Sequence, residues 1–403
     1  MSPDAKNPVS PAEPVSFDNT QVAFAAKDTA ELQKMAWLFR IMSNSTIVDI
    51  GSHITQLALQ IGLPVQAILK TTIYEHFCGG ETLEETEPLV ASLAEQGVNT
   101  ILDYGVEAKE SQEEFDANLA EQLRAIAFAD AHGTVPFVTS KITGYAPFSL
   151  LEKLSTEAPR SPAEEQELEA LRRRMHRICE AAAARDVCLY VDAEESWIQP
   201  AIDDIVTKLM AAYNREKPTV FNTVQLYRHD RLAHLKAAHA QARAEGYLYG
   251  VKLVRGAYME KERERAAERG YPSPIHATKA AVDADFDAAL LYCLDHIDDI
   301  VFCAATHNED SCQLLVRAAQ DRGIPLDHPH LSFAQLYGMG DHISFNLARA
   351  GASAAKYLPY GPVRDVVPYL IRRAQENRSV AGQVGRELRL ILDEQQRRKA
   401  LTG

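Results

Sequence analysis

The chain has 403 residues, 46% of them hydrophobic and 24% charged, enough to bury one large core with extensions or two ordinary domains. Its formal net charge of −14 argues against general binding to nucleic acid or to an anionic membrane, so any anion site must be local, built from a few placed Lys and Arg. Six cysteines (Cys78, Cys179, Cys188, Cys293, Cys303 and Cys312) form no C-x-x-C pair, which predicts free thiols of a reducing compartment and no zinc site.

Residues 1–16 ("MSPDAKNPVSPAEPVS") are rich in Pro, Ser and Ala, without arginine or an apolar stretch, and predict a disordered tail with no targeting signal. Residues 17–98 predict a helical arm, with helices in "DTAELQKMAWLFRIM" and "TLEETEPLVASLAEQG" and a turn at "FCGGET" (77–82). The run "ITQLALQIGLPVQAIL" carries Gln, Gly and Pro and falls short of the ~18 apolar residues of a membrane span. It predicts a helix pair on a core, with peripheral membrane contact left open.

From 99 to 395 short apolar runs alternate with amphipathic segments. The runs are 100–105, 135–143, 187–195, 219–227, 248–258, 299–308, 330–338 and 353–361, and they suit parallel strands covered on both faces. Between them, Ile202, Ile205, Leu209 and Tyr213, and Val282, Phe286, Leu290, Cys293 and Ile297, recur at helical spacing. Eight such alternations predict an α/β fold, a distorted (β/α)8 TIM-type barrel. A doubly wound sheet competes, but no G-x-G-x-x-G follows the first strand. Residues 396–403 read as a C-terminal tail.

Barrel chemistry sits where strands end, and these strands end in Glu107, Lys141, Asp192 with Glu194, Gln225, Arg255 with Tyr258, Thr306-His307-Asn308, Gln335 and Tyr357. Each has an ordinary reading: a rim lysine, a helix-capping aspartate, a hydrogen-bonded core histidine. Gly256-Ala257 after Arg255 lets backbone approach a flat or phosphate-bearing ligand closely. The run "EKERERAAER" (260–269) predicts a solvated helix face. A helix starting near 362–365 would put Tyr369, Arg372 and Arg373 on one face, suited to bidentate capture of a carboxylate or phosphate. These residues alone leave open a Schiff-base aldolase on Lys141 or Lys252, a metal-dependent hydrolase on Asp192, Glu194 and His307, and a non-catalytic barrel.

The blocks "ILDYGVE", "VDAEESW", "VKLVRGAYMEKER", "ATHNED", "QLYGMGD" and "KYLPYGPVRDVVPYLIRRAQEN" fall in order at these strand ends. Over residues 70–390 the chain resembles the proline dehydrogenase family, flavin-dependent enzymes of proline catabolism. "KYLPYGP" and "GMGDHISF" look like its eukaryote-type, single-function branch, and the length leaves no room for the aldehyde dehydrogenase module of the bifunctional branch.

The resemblance implies FAD in the barrel and L-proline as substrate, oxidised to Δ1-pyrroline-5-carboxylate. Lys141, Arg372 and Arg373 resemble the set that binds the substrate carboxylate. Tyr357 and Tyr369 resemble the wall on the ring, Asp192 and Tyr258 shape the pocket, and Glu107 pairs with a helix arginine. Gln225, Lys252, Arg255, Gly256, Ala257, Thr306, His307, Asn308, Gln335 and Glu376 look like flavin contacts, with Thr278 at the adenosine end. The bifunctional branch typically carries arginine where this chain has Lys252. Hydroxyproline-preferring relatives have a smaller residue in place of Tyr357, so proline is the expected substrate. A membrane quinone is the implied electron acceptor. The expected location is the bacterial cytoplasm, peripheral at the inner membrane, with the matrix side of the mitochondrial inner membrane as the alternative.

Overall fold

Short β-branched and aromatic runs such as "TILDY" and "VFNTV" form strands because their side chains pack on both faces of a covered sheet. There are eight: β1 (Asn99–Tyr104), β2 (Phe137–Ser140), β3 (Cys188–Val191), β4 (Val220–Gln225), β5 (Tyr249–Val254), β6 (Ile300–Ala305), β7 (Leu331–Leu336) and β8 (Ala354–Tyr360). In this computed structural model they pair in parallel in sequence order and close into a barrel, with helices in the connections. The expected (β/α)8 fold is the fold found. Closure runs from Asn99 opposite Ala355 to Tyr104 opposite Tyr360. The structure describes residues 15–43, 69–105, 110–366, 370 and 381–402. Glu107, Tyr369, Arg372, Arg373 and Glu376 lie outside the described residues, as do the tail 1–14 and nearly all of the apolar run 54–69.

Apart from β1, the strands are shorter than the runs that predicted them, chiefly because the last residues of each run leave the ladder. "VPFVTSKIT" is sheet only over Phe137–Ser140, and Ile142–Gly144 already turns as a 3-10 helix. Four helices start on side-chain caps in this way: Ser111 and Ser161 make reciprocal capping boxes, and Thr278 and Asn308 accept from Ala281 and Ser311 N–H.

Two apolar regions matter for the site. Inside the barrel, Ile101, Tyr190, Phe221, Val301, Cys303, Ala334 and Ala355 form a plug, with Phe137 stacked on Tyr190 at 4.5 Å. Outside it, the arm helix Thr29–Met42 packs through Leu32, Met35 and Phe39 against Val384, Leu390 and Ile391 of the last helix, Ala381–Thr402.

The run 260–269 is a helix, Met259–Arg269, but not a uniformly solvated one. Glu262 is fully buried and accepts from the Ser196 N–H and hydroxyl, both at 2.6 Å, Lys261 pairs with Glu195, and Arg265 lies 4.2 Å over the Trp197 ring. The charge pattern hid this because the partners come from the loop after β3.

Candidate active site

Side chains on a strand alternate between the barrel interior and the helix layer. Two residues beyond each member of the interior plug, the same face therefore reaches the C-terminal mouth. Ile101 leads to Asp103, Phe137 to Thr139 and Lys141, Tyr190 to Asp192, and Ala355 to Tyr357. With Lys252 of β5, this parity gathers a polar cluster from five strands.

Asp192 is its hub. Lys252 pairs with Asp192 Oδ1, the Tyr357 hydroxyl donates to Oδ2 at 2.8 Å, and the Lys141 ammonium stands 3.8 Å from Oδ2. Lys141 Nζ also donates to Asp103 Oδ1 at 3.1 Å, which the Thr139 hydroxyl reaches at 2.6 Å. Lys252 lies between two rings, 5.2 Å from that of Tyr190 and 5.1 Å from that of Tyr357. Burial opposes the Asp192 charge, but the Lys252 and Lys141 ammonium groups outweigh it and hold the carboxyl below its ordinary value. Burial likewise works against Lys141, and Asp103 and Asp192 overcome it to keep its ammonium above the ordinary lysine value. The helix Gln199–Tyr213 starts without a side-chain cap, so Asp192 is not a helix cap.

Asp103 was not among the residues expected from the sequence. It is 1% exposed, and its signal was parity: it stands two residues past Ile101 inside an apolar run. Thr139 was missed for the same reason.

A second group lies around the ends of β4 to β7. Arg255 is fixed by three bonds, from Nε to Asp283 (2.9 Å), Nη1 to Thr306 Oγ1 (2.7 Å) and Nη2 to Ser311 Oγ (3.0 Å), and its guanidinium lies 4.3 Å from the centre of the Phe286 ring. Gly256 follows at φ +140°, where a Cβ would come within 2.5 Å of the Tyr227 ring, so only glycine fits. The Ala257 N–H donates to Gln225 Oε1 at 3.3 Å, and Gln225 Nε2 donates to the Glu194 carbonyl at 2.7 Å. Gln335 Nε2 donates to the Thr306 carbonyl at 3.0 Å, and His307 Nε2 accepts from Leu336 N–H at 3.2 Å. Asn308 N–H donates to Thr306 Oγ1 at 3.1 Å. Thr278 stands apart, exposed at the start of its helix.

Glu194 joins the two groups. Both its oxygens accept from Thr143, the hydroxyl at 2.7 Å and the N–H at 3.2 Å, and burial pushes the carboxyl from the ordinary 4.5 to about 7. The Tyr258 phenol is pushed far up by burial and by Glu194. The folded protein thus holds the Glu194 proton more tightly than the unfolded chain, and its contribution makes stability fall as pH rises from about 4.5 to about 7. Glu194→Gln removes that contribution, so the melting temperature should depend less steeply on pH across this window; an unchanged slope would refute the assignment.

Among the described residues no group of His, Cys, Asp and Glu could hold a metal ion, and no helix is long and apolar enough to cross a membrane.

The sequence model of the family described as "Proline dehydrogenase" matches residues 87–386. "Proline dehydrogenase 1, mitochondrial" of Arabidopsis thaliana is 32% identical over 423 aligned positions, covering 93% of this chain and 85% of that protein. "Hydroxyproline dehydrogenase" of Mus musculus is 33% identical over 434 positions, covering 96% and 94%. The chain is also 41% identical over 258 positions to the Drosophila melanogaster protein named "Proline dehydrogenase 1, mitochondrial", but spans only 38% of its length. Among solved structures, proline utilization A of Bdellovibrio bacteriovorus, inactivated by N-propargylglycine, matches with a TM-score of 0.69 at 22% identity. That match covers 92% of this chain and 39% of the other, a likeness of fold.

Proposed function

Since the chain belongs to the proline dehydrogenase family, we propose that it oxidises L-proline to Δ1-pyrroline-5-carboxylate with FAD as cofactor and a membrane quinone as the eventual acceptor. The observation that carries this reading is the Asp103–Lys141–Asp192–Lys252–Tyr357 cluster at the barrel mouth, with an arginine fixed by three hydrogen bonds at the end of β5.

The residues present fit a flavin dinucleotide. Arg255 is held rigid by Asp283, Thr306 and Ser311, and the β6 and β7 loops offer Thr306, His307, Asn308 and Gln335 beside it. Lys252 is the exception within the expected flavin set: it pairs with Asp192 in the substrate cluster, and there it would fix that carboxylate. When bound, FAD supplies the hydride acceptor for the ring carbon next to nitrogen, and the chain's own groups bind and orient.

An ammonium has three N–H donors, so a substrate carboxylate can join Asp103 and Asp192 around Lys141. The cluster holds two carboxylates and two ammonium groups and so sums to zero formal charge. The positive charge a carboxylate needs would then come from Arg372 and Arg373, with Glu107 as the proposed partner of one of them and Glu376 as a proposed flavin contact. Tyr357, Tyr369 and Tyr258 would wall the apolar ring.

The Mus musculus relative makes hydroxyproline a second reading of substrate. Tyr357 favours proline. Its hydroxyl is anchored on Asp192 and lies 3.5 Å from Thr139, so the ring is fixed where a hydroxylated substrate needs space. Tyr357→Ser should shift the ratio of kcat/KM values toward hydroxyproline by about tenfold; an unchanged ratio would sink the argument. The mitochondrial names of plant and animal relatives support placing the reaction beside an energy-transducing membrane, where a quinone is met.

The testing experiment is an anaerobic absorbance spectrum before and after L-proline. Flavin bands that bleach with proline, and barely with hydroxyproline, support the reading. A protein that neither carries FAD nor takes it up returns the Schiff-base alternative on Lys141 to first place.

A further inference from the structure

Two consecutive side chains of the last helix, Ala381–Thr402, reach two different loops of the barrel mouth. Arg386 Nε donates to Glu309 Oε1 at 3.0 Å and its Nη2 lies 3.3 Å from Oε2. Glu309 is the first residue of its helix, directly after Thr306-His307-Asn308, and the same Oε1 is 3.0 Å from His342 Nε2. Glu387 Oε2 accepts from the Gly340 N–H at 3.0 Å. Gly340, at φ +63°, sits so close to the proposed flavin contacts that a Cβ there would come 2.8 Å from His307 Nδ1 and 3.1 Å from the Gln335 side chain.

The helix has other anchors besides these two residues, although Arg386 also pairs with Asp18 of the N-terminal arm. Val384, Leu390 and Ile391 pack on the arm, Glu394 binds Arg397, Arg398 and Thr20, and Arg398 caps the carbonyls of Phe24 and Lys27. Glu387 is moreover an expensive anchor. It is buried beside Asp341, and its Oε1 is buried without a hydrogen-bond partner, a cost that a plain packing residue would not carry.

We propose that Arg386 and Glu387 are positioning residues for the flavin: they tie the last helix to the β6 and β7 loops and so fix His307, Asn308 and Gln335 against the cofactor. The inference rests on the flavoenzyme reading above. Supporting groups of this kind act by holding contact residues in one geometry. Burial pushes the Glu387 carboxyl up to about 7, against the pull of His342 and Lys356, so an uncharged acceptor can serve Gly340.

The test uses the full chain, stripped of FAD and titrated back by flavin fluorescence, with melting of the apoprotein recorded alongside. Arg386→Ala and Glu387→Ala should each weaken FAD by about tenfold or more while the apoprotein melts close to wild type. Glu387→Gln, which keeps an oxygen for Gly340, should restore near-normal affinity. Glu309→Gln, which removes the charge but keeps the shape, should follow Arg386→Ala even where the alanine variants fold poorly. FAD affinities within twofold of wild type in Arg386→Ala, Glu387→Ala and Glu309→Gln would overturn the positioning role alone. A wild-type chain that takes up no FAD would overturn the flavoenzyme reading, and this inference with it.

Discussion

Replacing Asp192 with Asn should lower kcat/KM for L-proline by about two to four orders of magnitude, the kinetic equivalent of the roughly 3–5 kcal/mol lost when one partner of a buried ion pair is removed. Asp192 is the only described carboxylate that meets Lys252, Lys141 and Tyr357 together. Without its charge, the Lys252 ammonium stays buried between two aromatic rings with no carboxylate against it, and Lys141 keeps only Asp103. Tyr357 loses its carboxylate acceptor at the same time. Asp192→Asn and Tyr357→Phe should therefore combine far less than additively, because they remove one shared bond. The check is steady-state kinetics on both single variants and the double. A kcat/KM for Asp192→Asn within threefold of wild type would mean that the cluster is structural ballast.

The second large effect belongs to Lys141. Lys141→Met keeps the length of the side chain but deletes the donor, and it should raise KM for proline by about 10–100-fold, the range of one lost charge-assisted hydrogen bond. Because the carboxylate is held in ground and transition states alike, kcat should fall less than kcat/KM. Pyrrolidine, the same ring without a carboxylate, separates binding from chemistry: its slow oxidation should be the same in the variant and the wild type. A parallel loss on pyrrolidine would show that Lys141 acts on the ring nitrogen or on Asp192 instead.

How much of this was legible beforehand follows from the range over which each signal acts. Eight apolar runs and two helical repeats such as Val282–Phe286–Leu290 are local, and they gave the barrel before any contact was known. Lys141, Asp192, Gln225 and Arg255 stood out because a polar residue at the end of an apolar run breaks the pattern. Asp103 and Thr139 did not, since they sit inside their runs, and only the interior parity of closed strands exposes them. Glu262 was hidden by its charged neighbours, although Ser196 buries it. The Arg386–Glu309 pair spans 77 positions and has no local mark at all; it exists because the last helix returns over the β6 loop. Lys252 was legible as a functional residue, but its partner was not, because Asp192 lies 60 positions away across the interior.

The seam between β1 and β8 sets a timetable for the chain. Tyr357 reaches Asp192 across 165 positions and Thr139 across 218, so these bonds have no counterpart in a partly built barrel. During synthesis, β1 waits with an open edge until nearly the whole barrel has left the ribosome, and long-range closure of this kind is intrinsically slow. The Tyr357 bond to the cluster is thus made only once β8 has joined, after its charged members from β1, β2, β3 and β5. A nascent chain lacking β8 leaves the outer edge of β1 unpaired and lacks the Tyr357 hydroxyl that reaches Asp192 and Thr139.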